Sequence, residues 1–197
     1  MLAKPADPTP IVAYLAVKLL HEAGVPRAVL QLLPGAGATV GAALVSDSRL
    51  SGICFTGSTA TAMTINKAQA ANADASAPLI AETGGLNAMI VDSTALPERA
   101  VSDIVLSAFQ SAGQRCSALR LLYLQEDIAE DFLEMLYGAM QELSIGDPWN
   151  LSTDVGPLIN QDAQQKIQAY IDAAESKGRL LKRVDCPLKG TLLRRVC

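Results

Sequence analysis

Four short stretches of the sequence hold residue types that do chemistry. Cys116 sits in "SAGQRCSALR", residues 111–120, three positions after Gly113 and next to Arg115. A lone cysteine is most often a small core residue, but a polar, turn-prone approach through Gly113, Gln114 and Arg115 suits burial poorly. Backbone N–H groups exposed in such a turn, with an arginine beside them, would favour the thiolate, the nucleophilic form. A nucleophile also needs a group that handles protons. His21 is the sole histidine and sits at the end of an amphipathic segment beside Glu22, where a surface or last-turn role is expected. A Cys–His pair is therefore set aside. Glu82, in "AETGG", is better suited: it follows the apolar "PLIA", precedes two glycines, and lies 34 residues before Cys116. A carboxylate at a strand end can act as a general base; the alternative is an exposed strand-end acid. In "FTGS", Phe55, Thr56, Gly57 and Ser58 form a strand, a glycine turn and a helix start, the arrangement that offers backbone N–H groups to a phosphate. It is not GxGxxG, so the spacing alone names no dinucleotide. Lys4, just before Pro5, could reach a ribose or phosphate, or be a solvated lysine.

The elements that would position these groups can be read from period and punctuation. "PTPIVAYLAVKLLHEAGVP" predicts a helix with Asp7 or Thr9 as cap, Pro10 in its first turn, and an apolar face at Ile11, Leu15, Leu19 and Leu20. Gly24 and Pro26 end it. "RAVLQLLPG" predicts a buried strand, residues 38–46 a second helix, "SGICFTGS" a strand and "TATAMTINKAQAAN" a helix. "APLIAETGG" and "NAMIVD" predict two strands around Gly84 and Gly85. A helix over 97–111 leads to Cys116, and "ALRLLYLQ" predicts a strand. "EDIAEDFLEMLYGAMQEL" predicts an amphipathic helix with Ile128, Phe132, Met135, Leu136 and Met140 on one face. A Gly/Pro/Asn loop and a last helix ending at Gly178 follow. Alternating strands and helices predict an α/β fold with a parallel sheet and crossover helices.

Composition limits the function classes. Half of the 197 residues are hydrophobic and 18% are charged, enough for a packed core. A net charge of −4 gives no bulk attraction to nucleic acid or anionic lipid, so no partner of either kind is expected. No apolar run approaches the roughly 18–20 residues that span a bilayer. Cysteines at 54, 116, 186 and 197 have no metal-ligand or dense disulfide spacing, which predicts free thiols, no metal and a cytoplasmic location.

Taken together, these residues resemble the aldehyde dehydrogenase superfamily. "KPADPTP" is similar to the family's Lys-Pro-x-Glu motif, with Asp7 where the family has Glu; the resemblance implies that Lys4 and Asp7 bind the adenosine ribose of NAD. "FTGST" resembles the turn over the NAD pyrophosphate, "ETGG" the motif of the general base Glu82, and "GQRC" the motif of the catalytic Cys116; "STDVGPLI" also belongs to the pattern. The finer resemblance is to the 1-pyrroline-5-carboxylate dehydrogenase module of bacterial proline utilization A proteins, which Ala62 also suits. It implies oxidation of a small aldehyde, L-glutamate γ-semialdehyde, to glutamate with NAD⁺, with Ser117 holding the substrate. It further implies homo-oligomers in the full-length family. The expected organisation is a partial Rossmann-type NAD-binding domain over 1–83, a partial catalytic domain over 84–178 and a basic tail over 179–197.

The resemblance covers about residues 1–178 and the middle of the family's domain. The family's first dinucleotide-fold strand, its upstream oxyanion-hole Asn and its downstream nicotinamide-ribose Glu are not matched. The expectation is therefore a truncated reading frame, with a catalytically inactive remnant as the alternative to an enzyme. The tail, with six of the chain's sixteen Lys and Arg, is expected to be a frayed basic terminus or out-of-frame sequence.

Overall fold

The computed structural model describes residues 1–184. Within them the chain forms two compact units, one from Met1 to Gly84 and one from Gly85 onward. Each is α/β, with strands paired in parallel across helices.

In the first unit, β1 (Leu2–Ala3) pairs with β2 (Gln31–Leu32), and β3 (Ile53–Gly57) pairs with β4 (Leu79–Thr83). Parallel neighbours require a crossover. Helix α1 (Pro10–Glu22) supplies the first and α3 (Thr59–Asn72) the second. The expected start of α1 holds: Pro10 occupies the first turn, where a missing N–H costs nothing. The expected cap holds only in position. Thr9 is the cap residue but its side chain makes no capping bond, and the Asp7 carboxylate is engaged by Lys4 and Gly37 instead. Gly24, at φ 99°, turns the chain out of α1. His21 lies in the last turn, its Nδ1 2.9 Å from the Val25 carbonyl.

Three elements of this unit differ from expectation. The strand expected over "RAVLQLLPG" shrinks to two residues, because residues 26–30 are turned by bonds from Val29 and Leu30 N–H to the Pro26 carbonyl. The second helix opens as a π turn (Gly37–Gly41) before α2 (Ala42–Val45), with the Gly41 N–H reaching back to Ala36. Third, α1 buries none of its residues, and the face that its period made apolar is open: Ile11 is 72% exposed. Core contacts come instead from Leu30, Ala62 and Ile65. Gln69, also buried, is satisfied by the Ala77 carbonyl at 2.8 Å.

The second unit is built on β5 (Asn87–Val91) and β6 (Leu119–Leu124), a parallel pair with α4 (Pro97–Phe109) as crossover. Helix α5 (Ala129–Gln141) follows a short 3₁₀ turn. Val91, Val101, Ile104, Leu119, Phe132 and Leu136 form its main core, with Ile128 and Met140 packed against it. The expected apolar face of α5 thus holds, except that Met135 lies at its edge and is 38% exposed. The loop after α5 is closed by a parallel bridge between Ile145 and Val155, and α6 (Gln161–Ser176) starts with Asn160 as a true cap, its side chain accepting from the Ala163 N–H. Gly178 at φ 64° ends α6 as expected. In the tail, Arg183 pairs with Glu175 at 3.3 Å and Lys182 sits over the Tyr137 ring; residues 185–197, on which the rest of the tail expectation falls, lie outside the described residues. No helix among the described residues is long and apolar enough to cross a membrane.

Candidate functional site

All the residues expected to hold a cofactor, and Glu82, belong to the first unit; Cys116 and Ser117 belong to the second. The first set is built around two chain turns. At one, Lys4 leaves β1 and its Nζ donates to the Asp7 carboxylate at 2.8 Å and to the Pro5 carbonyl at 2.7 Å. The other Asp7 oxygen accepts from the Gly37 N–H at 3.2 Å. One carboxylate therefore joins the strand end to the start of the π turn, and the Lys4 stem lies along Gly41, where a Cβ would meet it at 3.6 Å. The Lys4 ammonium first, and the Gly37 N–H second, hold Asp7 below the usual carboxylate range.

At the other turn, β3 runs into α3. Phe55 and Gly57 are two apart on one strand and so face the same side. A Cβ on Gly57 would fall onto the Phe55 ring, 3.1 Å from Cε2, so this ring and this strand end coexist only with glycine. Ser58 then caps α3, accepting from the Thr61 N–H at 3.2 Å. The Ala62 N–H reaches the Ser58 carbonyl, while those of Thr59 and Ala60 have no carbonyl one turn back in the helix. Thr56, Gly57 and Ser58 are exposed, which leaves the turn accessible. Glu82 stands opposite Thr56 in the β3–β4 register, one residue short of the strand's last position, and is exposed. The spacing thus places the carboxylate and the glycine turn on neighbouring strands at the same end, Thr83 facing Gly57.

In the second unit Cys116 is a free, exposed thiol, as its polar surroundings implied. How the chain reaches it was not visible in the sequence. The helix expected over 97–111 ends at Phe109, and a 3₁₀ turn over Gln110–Gly113 follows. Inside that turn Ser111 (φ 56°), Ala112 (φ 55°) and Gly113 (φ 66°) are all left-handed. Glycine takes this conformation freely, but serine and alanine pay roughly 1–2 kcal/mol each. Packing offsets that cost: Ala112 is buried with Val155 and Leu158, against Phe109, Leu143, Ile145 and Ile167. The Gln114 side chain accepts from the Ile159 N–H at 2.9 Å and donates to the Ser111 carbonyl at 3.2 Å. "STDVGPLI" is therefore the platform on which the turn before Cys116 is held. Arg115 turns back, its Nε donating to Ser111 Oγ at 3.2 Å.

Two further residues that the sequence reading passed over bind this loop. Asn87 donates to the Cys116 carbonyl at 2.7 Å and the Ala118 carbonyl at 2.9 Å. Arg120 donates to the Gly113 carbonyl at 2.5 Å. Both flank a register shift between β5 and β6. A period-2 pattern predicts strands, not shifts between them, so no sequence signal marked either. Ser117 is exposed beside Cys116. Among the described residues no cluster of His, Cys, Asp and Glu could hold a metal ion.

A family model described as "Aldehyde dehydrogenase family" matches residues 1–186. The chain is 55% identical over 182 residues to the bifunctional protein PutA of Klebsiella aerogenes, covering 91% of this chain and 14% of that protein. It is 41% identical over 184 residues to the 1-pyrroline-5-carboxylate dehydrogenase of Geobacillus kaustophilus, covering 92% of this chain and 36% of that protein. Among solved structures it is similar to PnpE in complex with nicotinamide adenine dinucleotide, with a TM-score of 0.89 and 34% identity over 97% of this chain and 39% of that one. The chain thus spans only a minor part of the length of the relatives it matches.

Proposed function

The chain belongs to the aldehyde dehydrogenase family, and from that premise we propose that it carries the nucleophile, base and dinucleotide turn of an NAD-dependent aldehyde oxidation. The observation that carries the proposal is the free, exposed Cys116, presented by a left-handed turn that buried packing holds in place. Such local strain, overdetermined by its surroundings, is a mark of functional positions. The likeness to a 1-pyrroline-5-carboxylate dehydrogenase supports L-glutamate γ-semialdehyde as the aldehyde.

The residues of the first unit fit a dinucleotide. A side-chain-free turn at Gly57, and the N–H groups of Thr59 and Ala60 at the start of a 14-residue helix, suit a pyrophosphate. Phe55, Thr56 and Ser58 shape that turn, and Lys4 with Asp7 would hold a ribose. The dinucleotide-bound relative supports NAD in this place. NAD⁺, when bound, accepts the hydride.

The chain's own residues do the rest. The Cys116 thiolate adds to the aldehyde carbon, giving a thiohemiacetal, and its own backbone N–H donates to the oxygen as charge develops there. Ser117 holds the substrate beside it. Loss of the hydride from the thiohemiacetal carbon leaves a thioester on Cys116. The Glu82 carboxylate takes a proton from water, the water oxygen attacks the thioester carbon, the carbon–sulfur bond breaks, and the acid leaves with the Cys116 thiolate restored.

A non-catalytic chain is the second reading, and one observation favours it: α1 buries no residue and leaves Ile11, Val12, Leu15 and Leu19 at least half exposed. One experiment separates the two. Purified protein is given L-glutamate γ-semialdehyde and NAD⁺, and NADH absorbance is followed. Turnover that disappears in Cys116→Ala supports the enzyme; a folded protein that neither binds NAD⁺ nor turns over supports the second reading.

A further inference from the structure

Asn87 begins β5, and its side chain does not serve the strand ladder. Both hydrogens of its amide are used on the loop after Cys116: one goes to the Cys116 carbonyl and one to the Ala118 carbonyl. The orientation of the amide follows from chemistry, because two carbonyl oxygens accept only from the NH₂ end. The next feature is the ladder itself. Asn87 opposes Leu119 and Ala88 opposes Leu121, so Arg120 has no partner on β5. An extra residue of this kind bends its strand and re-aims the side chains around it, and such bulges gather next to active sites. The Arg120 side chain then reaches back to the Gly113 carbonyl. Residues 113–118 are therefore tied at both ends from the bulge, with Cys116 between the ties.

From this arrangement we infer that Asn87 and Arg120 are positioning residues that fix the Cys116 thiol for attack, the bulge between β5 and β6 being the device that aims it. The inference rests on the proposed role of Cys116 as nucleophile. It separates from a purely structural role because most of this unit's core lies away from the exposed residues 114–117. Val91 at the far end of β5 packs with Val101, Ile104, Phe132 and Leu136, and Leu119, opposite Asn87, joins this core from β6, whereas residues 114–117 around the thiol are exposed. Loss of the ties frees the loop while the core stays.

The test uses the whole chain and Asn87→Asp, which keeps the shape but sets an acceptor oxygen against two carbonyls. Alkylation by N-ethylmaleimide is followed by peptide-resolved mass spectrometry, with Cys54, a free exposed thiol on β3, as internal reference. The freed loop raises the Cys116-to-Cys54 rate ratio about threefold or more, the scale of one or two lost hydrogen bonds. Amide hydrogen exchange rises over 113–118 and stays unchanged in α5. An unchanged ratio, or an equal change in both thiols, overturns the inference. Should Asn87→Asp open α5 as well, Arg120→Met, which removes the tie but keeps the stem, decides on the same two readouts. Where the wild type oxidises the aldehyde, both variants lower kcat at unchanged KM while alkylation rises. Where it does not, the proposed activity fails, and the alkylation and exchange results still decide this inference.

Discussion

Replacing Gly113 by alanine asks two things of the loop at once. At φ 66° any side chain pays for the left-handed conformation, roughly 1–2 kcal/mol. The new Cβ would also stand 2.8 Å from the Ala108 carbonyl oxygen and 3.3 Å from the Arg120 guanidinium. The arginine can move. The carbonyl belongs to the last turn of α4 and cannot move without disturbing the helix, a form of overpacking that costs roughly 1–3 kcal/mol. The two together give about 2–5 kcal/mol, a large share of the ~5–15 kcal/mol of a typical domain. The same substitution at Gly138 has the opposite sign. Gly138 lies inside α5 with nothing within 4 Å of a built Cβ, and glycine there gives up about 0.5–1 kcal/mol relative to alanine. The assay is urea unfolding followed by far-ultraviolet circular dichroism on both variants, since Trp149 is 91% exposed and reports little of the core. A Gly113→Ala variant within about 0.5 kcal/mol of the wild type would refute the reasoning about the turn. So would a destabilised Gly138→Ala.

Four other outcomes follow from the same geometry. Phe132→Ala removes a side chain that is 2% exposed in the main core of the second unit and should cost about 3–5 kcal/mol in the same unfolding assay; Met135→Ala, one position from the core face, should cost under about 1 kcal/mol. Gly57→Ala must displace the Phe55 ring from the turn before α3, and calorimetric titration should show NAD⁺ binding weakened by about tenfold. Lys4→Ala removes the first cause of the lowered Asp7 pKa and leaves the second, the Gly37 N–H. Carbon-detected NMR should then show the Asp7 titration moved up toward the usual carboxylate range. The sign follows from linkage: a carboxylate held low by the fold stabilises it above the usual range, and that contribution is lost as pH falls through the lowered midpoint. An Asp7 midpoint indifferent to Lys4→Ala would contradict the pairing.

Much of this was legible in the residues. Apolar runs, periods and the glycine and proline between them located α1, α3, α5, α6 and the strands β3 to β6, and α5 buries the face that its period marks. "FTGS" and "AETGG" read correctly as strand ends because glycine and a polar residue stop an apolar run. Where the outcome depended on contacts distant in sequence, the pattern was silent. Leu2–Ala3 is a strand only because Gln31–Leu32 lies alongside it. Ser111 and Ala112 are left-handed against their own preference because Val155 and Leu158 pack on Ala112. Asn87 looked like an ordinary first residue of a strand; its two bonds to the Cys116 loop span about thirty residues of chain. The apolar face of α1 was read correctly as a pattern but not as a buried face, since amphipathicity shows what a helix can cover and not whether something covers it.

The central claim is that Cys116 becomes acylated during aldehyde oxidation and that Glu82 directs the water that releases the acid. Glu82→Gln keeps the size of the side chain and removes the base, so the acyl form should accumulate. The direct measurement is mass spectrometry of this variant quenched after mixing with L-glutamate γ-semialdehyde and NAD⁺. The account predicts a glutamyl thioester on the peptide that contains Cys116, absent without NAD⁺ and absent in the double variant with Cys116→Ala. NADH production with the adduct on Cys54, or with no adduct on any cysteine, would contradict it.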